Sequence, residues 1–484
     1  MTDQETGKLD EGRARSTSAG SAEVNDRAPS DQGLTTLGLL MQLGGTLFAA
    51  YGSLILLFFV FLPVGRANEK GILLLLVAMS VARSAFHRMA GTQLLYGRKT
   101  LDGTGSPLTG TKQYIVVALA HSAIVAIALI MKFHVPSKAG LGLGLGLAAW
   151  PILLGVLFLA MPRFKKFDKE IPLPEDKGFE GVSIVMTVLG LCGALGTGAF
   201  LFLMLKSGGA IMSQGPGVLL LVALVMLFVR SIFHVQAGLS GLRETSLENS
   251  VQKANRYANF GVISSFCASG AILVVSMMGA MNIVVVAMVA GVCWLLMSWP
   301  LIIRRFYGER QFADLMSGDV GSTHRRSPDA GLTGLGWLLL GHAFLSATML
   351  IPQLIGGPEV MGMEALKMAS FMGPMATKSL WFNAGMVAFQ AWAGYELIRM
   401  SGPSKIIAIA YAVIVGVLTV WIMYPLLDQL TQLGRNFAPE AVTMFIPLAI
   451  NLVIPVATLL LVTRKTAPVA TARFVAKPPG ETPA

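Results

Sequence analysis

Twelve apolar stretches, each about as long as a bilayer is thick, make up most of this chain. A membrane-spanning helix needs about 20 predominantly apolar residues. Of the 484 residues, 54% are hydrophobic and only 13% are charged, which excludes a soluble enzyme, a disordered scaffold and a fibre. We therefore predict an all-α integral membrane protein of twelve transmembrane helices. The predicted spans are residues 37–63, 70–95, 113–133, 141–161, 182–205, 216–239, 258–278, 283–303, 332–355, 379–397, 405–427 and 441–463.

Polar segments flank the spans at both ends. Residues 1–32 carry seven Asp and Glu against four Lys and Arg, and they are predicted to form a disordered cytoplasmic tail. Residues 466–484 are predicted to form a flexible cytoplasmic tail. No short apolar segment with a cleavage site precedes the first span, so we expect no signal peptide. All three cysteines lie inside apolar stretches without CxxC spacing, which predicts neither disulfides nor a zinc site.

Basic residues are concentrated on one side of the predicted bundle. Of the 37 Lys and Arg, 26 lie on the side shared by the two termini, eight lie on the opposite side, and three lie within spans. Because Lys and Arg are enriched in cytoplasmic loops, both termini are predicted to be cytoplasmic. The net charge of +11 thus indicates orientation in the membrane and not binding to nucleic acid. The Ala-, Gly- and Leu-rich, Cys-poor composition favours a bacterial inner (plasma) membrane.

The sequence repeats at a period of about 150 residues. Residues 83–91 (RSAFHRMAG) and 230–238 (RSIFHVQAG) match at six of nine positions with an offset of 147, and residues 389–394 (FQAWAG) keep the Phe, the Ala and the Gly. A long period of this kind is typical of internal duplication. We predict three four-helix units, which lie parallel because each holds an even number of spans. Their boundaries are residues 33–180, 181–330 and 331–465.

No Asp or Glu lies in the middle of any predicted span. The acidic residues nearest to the spans are at or just beyond their ends, at Glu69, Glu180, Glu396, Asp428 and Glu440. Carriers coupled to protons or sodium commonly hold the cation with a buried carboxylate. The sequence therefore disfavours an ion-coupled carrier.

Two Arg/His pairs are the candidate site. Arg83 and His87 are four residues apart and share a helix face, and so do Arg230 and His234. One interpretation is that the arginines extend to the cytoplasmic interface along their flexible stems. The other is that the repeated pair binds an anion, since two buried guanidinium groups without a carboxylate need a counter-charge.

The third copy of the motif differs from the other two. Gln390 replaces the His and Met386 replaces the Arg, and Gln390 is included as a candidate anion-binding residue. A haem b ligated by His87 and His234 is a weaker alternative, because a recurring His pair is what two axial imidazole ligands require. A metal ion is not expected beside two guanidinium groups, and no catalytic residue is predicted.

A glycine-rich run opens the fourth span. Gly140 and Gly144, and likewise Gly142 and Gly146, have the small-xxx-small spacing of closely packed transmembrane helices. We therefore interpret the run as a helix-packing device and not as a phosphate-binding loop.

These observations favour a polytopic transport or permeation protein for an anionic or lipid-like substrate, without evident ion coupling. Its expected partners are the lipid bilayer and an anionic lipid or solute. One alternative is a non-catalytic membrane subunit that binds partner membrane subunits in a larger complex. A second alternative is a haem-bearing redox subunit.

Overall fold

The computed structural model describes residues 33–61, 67–96, 106, 108–168, 179–206, 215–243, 247–277, 283–308, 331–356, 375–432 and 452–464, so both predicted tails lie outside the described residues. The described residues are helical, with no β-strand among them. Short helical turns at Pro162–Lys165 and Lys166–Asp168 follow the fourth long helix. The helices are α1 (Leu34–Phe61), α2 (Ala67–Tyr96), α3 (Thr109–Met131), α4 (Ser137–Gly155, continued by a π-helical turn at Val156–Ala160), α5 (Phe179–Lys206), α6 (Gly215–Arg243), α7 (Leu247–Met277), α8 (Ile283–Tyr307), α9 (Leu332–Gly356), α10 (Met375–Arg399), α11 (Ser404–Gln432) and α12 (Leu452–Val462).

Ten of these helices are long and apolar enough to cross a membrane, as a multi-pass membrane protein requires. The other two are α10 and α12. Helix α10 is long enough but carries the polar residues Asn383 and Gln390. The described part of α12 is apolar but short, and the first half of the predicted twelfth span lies outside the described residues.

The outer surface of the bundle is apolar. Large hydrophobic side chains on many helices point outward, and on α3 Val116, Ile127 and Met131 are each at least 60% exposed. Water would disfavour such a surface, whereas hydrocarbon would not. The α-helix suits this setting because it satisfies its backbone hydrogen bonds internally.

Helices α1, α5 and α9 meet at their N-terminal ends in the centre of the molecule. Gly33 and Gly331 adopt φ values of +76° and +81°, which L-residues with a Cβ rarely adopt. At this junction Gly33 lies against Thr333 and Trp337 of α9, and Gly331 lies against Glu180 and Ile184 of α5. Thr36 of α1 lies against both Gly181 of α5 and Gly334 of α9.

Each central helix also packs against a helix from another part of the chain. Helix α4 packs on α9, and α8 packs on α1. Helix α12 packs on α5, where Ile454 and Ala457 share an apolar cluster with Ile184 and Val188. Leu40 contacts three of the molecule's apolar clusters and so lies where they converge.

The glycine run of α4 packs closely on both of its sides. A Cβ built on Gly144 would lie 3.2 Å from the carbonyl oxygen of Ser122 on α3, and one built on Gly146 would lie 2.6 Å from that of Thr348 on α9. Leu145, between these two glycines, is exposed. The alternating small residues therefore let α4 lie close to two neighbours, as the spacing predicts.

Candidate functional site

Arg83, the first candidate arginine, lies near the middle of α2 and is hydrogen-bonded to two neighbouring helices. Arg83 lies 13 residues, or about 20 Å, before the end of α2. Its guanidinium donates to the carbonyl oxygen of Leu147 on α4 at 2.6 Å and to the hydroxyl of Ser122 on α3 at 3.1 Å. The Leu147 carbonyl needs a donor, because the residue four positions later is Pro151, which has no N–H.

His87 lies one turn after Arg83 between two aromatic side chains. The indole N–H of Trp150 on α4 donates to His87 Nε2 at 3.3 Å. The imidazole stacks on the ring of Tyr114 from α3, with the centroids 4.6 Å apart and the planes 18° from parallel. The Tyr114 hydroxyl in turn lies beside the Arg83 guanidinium. The five side chains therefore form one connected group across three helices.

The second candidate arginine makes the same bonds in another part of the molecule. Arg230 of α6 donates to the carbonyl oxygen of Leu296 on α8 at 2.7 Å and to the hydroxyl of Ser265 on α7 at 3.0 Å. Pro300 follows Leu296 by four positions and again leaves that carbonyl without its helical donor.

The second histidine also has the same surroundings. Trp299 of α8 donates its indole N–H to His234 Nε2 at 2.7 Å. The His234 ring stacks on Tyr257 of α7 at a centroid distance of 4.3 Å and an interplanar angle of 7°. As in the first case, the tyrosine hydroxyl lies beside the arginine, here Arg230.

The two groups share their internal spacing along the sequence. In each, the Tyr precedes the Ser by eight residues and the fourth helix carries a Leu-x-x-Trp-Pro segment. We name them the first cluster (Arg83, His87, Tyr114, Ser122, Trp150 and the Leu147 carbonyl) and the second cluster (Arg230, His234, Tyr257, Ser265, Trp299 and the Leu296 carbonyl).

Among the described residues, neither arginine has an acidic partner. Both guanidinium groups bind neutral oxygens, and no carboxylate of the described residues forms an ion pair with either. Both positive charges therefore lie among helices whose described residues supply no counter-charge. Ion pairs between described residues, away from both arginines, join Lys112 to Asp168, Arg399 to Glu396 and Arg464 to Glu180.

The hydrogen bonds also determine the state of the two imidazoles. Because Trp150 and Trp299 can only donate, His87 Nε2 and His234 Nε2 act as acceptors, and the neutral rings carry their proton on Nδ1. A haem iron ligated through Nε2 would have to displace an indole. Within the described part of the chain, no group of three or more His, Cys, Asp or Glu side chains could hold a metal ion.

Gln390 lies in a third and different arrangement. Its amide donates to Nδ1 of His342 at 3.0 Å and to the carbonyl oxygen of Leu339 at 3.2 Å, both on α9. In the first unit the position that corresponds to His342 is Gly44, where an added Cβ would lie 3.5 Å from the His87 ring. The third arrangement thus has its imidazole on the adjacent helix.

One histidine distinguishes the first cluster from the second. His121 of α3 lies 3.4 Å from the Arg83 guanidinium through Nδ1 and 3.1 Å from the Ser80 hydroxyl through Nε2. Since Arg only donates, Nδ1 accepts and Nε2 carries the proton. The corresponding position in the second cluster is Ser264, which bonds only to the carbonyl of Gly261.

The aromatic and hydroxyl partners of the Arg/His pairs were missed from the sequence. They lie 27 to 69 residues after the arginine of their cluster, on other helices, so helix periodicity does not group them. A signal nevertheless exists, because residues 147–151 (LAAWP) and 296–300 (LMSWP) repeat the Leu-x-x-Trp-Pro pattern. Near the C-terminal end of the helical region, residues 451–455 read NLVIP, which keeps the Pro but has no Trp.

Comparison with models of known protein families, with curated proteins and with solved structures gave no match.

Proposed function

We propose that this protein moves an anionic or lipid-like substrate through the membrane and that the guanidinium groups of Arg83 and Arg230 attract it. One observation carries the proposal: two half-buried arginines lie near the middle of apolar helices, bonded only to neutral groups. Ionisable residues at membrane depth are expensive and usually mark a pathway or a ligand.

An oxyanion would balance the positive charge of each arginine, which its neutral hydrogen-bond partners leave uncompensated. A carbonyl and a hydroxyl satisfy some of the N–H donors but cancel none of the charge. Charges attract more strongly where the effective dielectric constant is low, so a carboxylate or phosphate group would be held more firmly here than in water. Arg is well suited to this task because its planar fork matches both groups.

We further propose that the twelve helices form three parallel four-helix units and that both termini face the cytoplasm of a bacterial cell. The matched clusters support a duplication of the first unit into the second. The mutual contacts of α1, α5 and α9 support a third unit in the same arrangement. The excess of Lys and Arg on one side supports the orientation.

Flux into proteoliposomes tests the function, with two probes that distinguish the sources of the anionic group. Radiolabelled inorganic phosphate tests a free oxyanion, and a fluorescent phosphatidic acid tests a lipid. The double variant Arg83→Gln/Arg230→Gln should lose at least nine-tenths of the flux of whichever probe is carried. The control is Arg88→Gln, which removes an exposed arginine from the same helix as Arg83. Equal flux in the double variant and the control would overturn the proposal.

A second candidate is a membrane subunit that binds other subunits. The observation in its favour is that α10 exposes Trp381 and Trp392, at 71% and 51%, among the described residues. Trp is enriched at protein interfaces and equally at membrane–water interfaces. Purification in mild detergent tests this candidate, since it predicts defined partner chains that are lost in Trp392→Ala.

A further inference from the structure

We infer that this protein holds two separate oxyanion sites, one in the first cluster and one in the second, and no such site in its third unit. The inference rests on the proposed function, because it takes the two arginines to be the anion-attracting groups. It adds the number of sites, their independence and the residue that makes them unequal.

The two clusters are separate because each is closed within its own three helices. The bonds of Arg83 reach only α3 and α4, and those of Arg230 reach only α7 and α8. Between the units, the central junction is filled by Thr36 against Gly181 and Gly334, and Leu40 packs against the surrounding apolar clusters. This packed junction therefore separates the two guanidinium groups, and we infer that they do not share one cavity.

Each cluster keeps donors for an oxyanion. A guanidinium has five N–H donors, and Arg230 uses one for Ser265 and one for the Leu296 carbonyl. The remaining donors and the neighbouring Tyr257 hydroxyl can bind two oxygens of one carboxylate or phosphate group. Gly261 lets Pro300 pack directly against α7 beside the arginine, since a Cβ built on it would lie 2.6 Å from the Pro300 ring and 3.7 Å from Arg230 Nε.

The third unit lacks the charge that such a site needs. Met386 stands where the other units have Arg, and Gln390 stands where they have His. The amide of Gln390 is already bonded to His342 and to the Leu339 carbonyl. This unit therefore has no cation in the corresponding position to bind an oxyanion.

His121 makes the two sites unequal. It accepts a bond from the Arg83 guanidinium and so occupies a donor that is free in Arg230. The matched position in the second cluster, Ser264, bonds to its own helix instead. The first site should therefore bind an oxyanion more weakly than the second. The difference of about one charge-assisted hydrogen bond corresponds to about tenfold in the dissociation constant.

Equilibrium binding to the purified full-length protein in neutral detergent tests the inference. The probes are inorganic phosphate and oleate, which distinguish a free oxyanion from a lipid carboxylate. The expected result is that each chain binds two molecules of at least one probe, with unequal affinities. Arg83→Gln should remove the weaker equivalent and Arg230→Gln the stronger, while Arg88→Gln keeps both. His121→Ser should bring the weaker site to within about threefold of the stronger.

The possible failures have separate meanings. A single equivalent that either substitution abolishes would show a shared site, and no binding of either probe would show that the clusters are not oxyanion sites, so both results overturn the inference. Two equivalents in a protein that carries neither probe in the flux assay would overturn the transport function and leave the sites standing. Each variant is checked by its elution volume and thermal unfolding in the same detergent, and a lower-temperature binding measurement covers any that is destabilised.

Discussion

Arg83 donates a hydrogen bond of 2.6 Å to the carbonyl oxygen of Leu147, the one carbonyl that Pro151 leaves without a helical donor. Arg230 does the same for Leu296, which precedes Pro300 by four residues. A proline in the middle of a transmembrane helix and an arginine from another helix are thus paired in each of the two clusters.

This pairing predicts that the effects of Arg83 and Pro151 on stability are coupled. Arg83→Gln should lower the free energy of unfolding by about 1–3 kcal/mol, because it leaves the half-buried carbonyl of Leu147 without its donor. In a Pro151→Ala background the helix supplies its own N–H, so the same substitution should cost less than half as much. Thermal unfolding of the wild type, both single variants and the double variant gives the coupling energy. Additive effects would contradict the pairing.

The indole–imidazole bonds predict unequal effects of two tryptophan substitutions. The Trp299–His234 bond is 2.7 Å long and the Trp150–His87 bond is 3.3 Å long. Trp299→Phe should therefore destabilise the protein by about 1–3 kcal/mol and Trp150→Phe by less. Unfolding in detergent provides the measurement, with Trp421→Phe as control because that side chain is 70% exposed. An equal melting temperature for Trp299→Phe and the control would argue against a buried bond.

The same bonds predict how haem should interact with the protein. With Nε2 of His87 and His234 engaged, protein expressed with added haem precursor should show no Soret band that depends on these residues. Trp150→Phe and Trp299→Phe would free both nitrogens and serve as the comparison. A Soret band in the wild type that disappears in both His87→Ala and His234→Ala would instead support the redox-subunit alternative.

The close packing of α4 on α9 predicts that Gly146 tolerates no larger residue. A Cβ at this position would lie 2.6 Å from the Thr348 carbonyl oxygen, and backbone cannot move aside as a side chain does. Gly146→Val should destabilise the protein by about 1–3 kcal/mol or prevent its accumulation. Leu145→Val, on the exposed side of the same turn, is the matched control. Comparable yields and melting temperatures for both variants would contradict the packing.

Acid should weaken the contact between Asp168 and the start of α3. Hydrogen bonds from Lys112, at 2.8 Å, and from Ser106 lower the pKa of Asp168 below its ordinary value of 3.8. A carboxylate with a lowered folded-state pKa contributes stability above the unfolded value, and this contribution is lost as the pH falls through the folded value.

The test compares Asp168→Asn with the wild type by thermal unfolding. At pH 6 the variant should melt at a lower temperature, and the difference should shrink as the pH falls below 3.8, the ordinary value of the carboxyl pKa. The effect is expected to be small because both partners are about 40% exposed to solvent. A difference that stays constant with pH would show that the ionised carboxylate is not responsible.

Much of the helical architecture follows from the sequence because span length is a local property. The apolar stretches predict the helices, and the spacing of Gly142 and Gly146 correctly predicts a close helix contact. Glu180 marks the limit of this reasoning. Its position at the edge of a span suggests a solvated end, yet the structure buries it 3.7 Å from Arg464, at the end of α12. Pairing between the ends of remote helices depends on tertiary packing, which hydropathy does not record.

The candidate site was predictable in part for the same reason. Arg83 and His87 stand out because they belong to a short sequence motif that occurs again at Arg230 and His234. Their four-residue spacing places them on one face of the helix. Their partners Tyr114 and Trp150 come from helices whose facing sides depend on how the bundle packs. Only a comparison between the units, searching for matched residues at a common offset, could have found them.

The junction of α1, α5 and α9 has a consequence for how this protein is made. Gly33 opens α1 and packs against Trp337, which is synthesised roughly 300 residues later. At a synthesis rate of about 5–20 residues per second, α1 is complete about 15–60 s before Trp337 is synthesised. Contacts so distant along the chain delay folding, since much of the chain must be ordered before they form. Truncation after α8 would leave α1 and α5 without α9, so the helices of the bundle should reach their final stability together and late, after α9 has inserted.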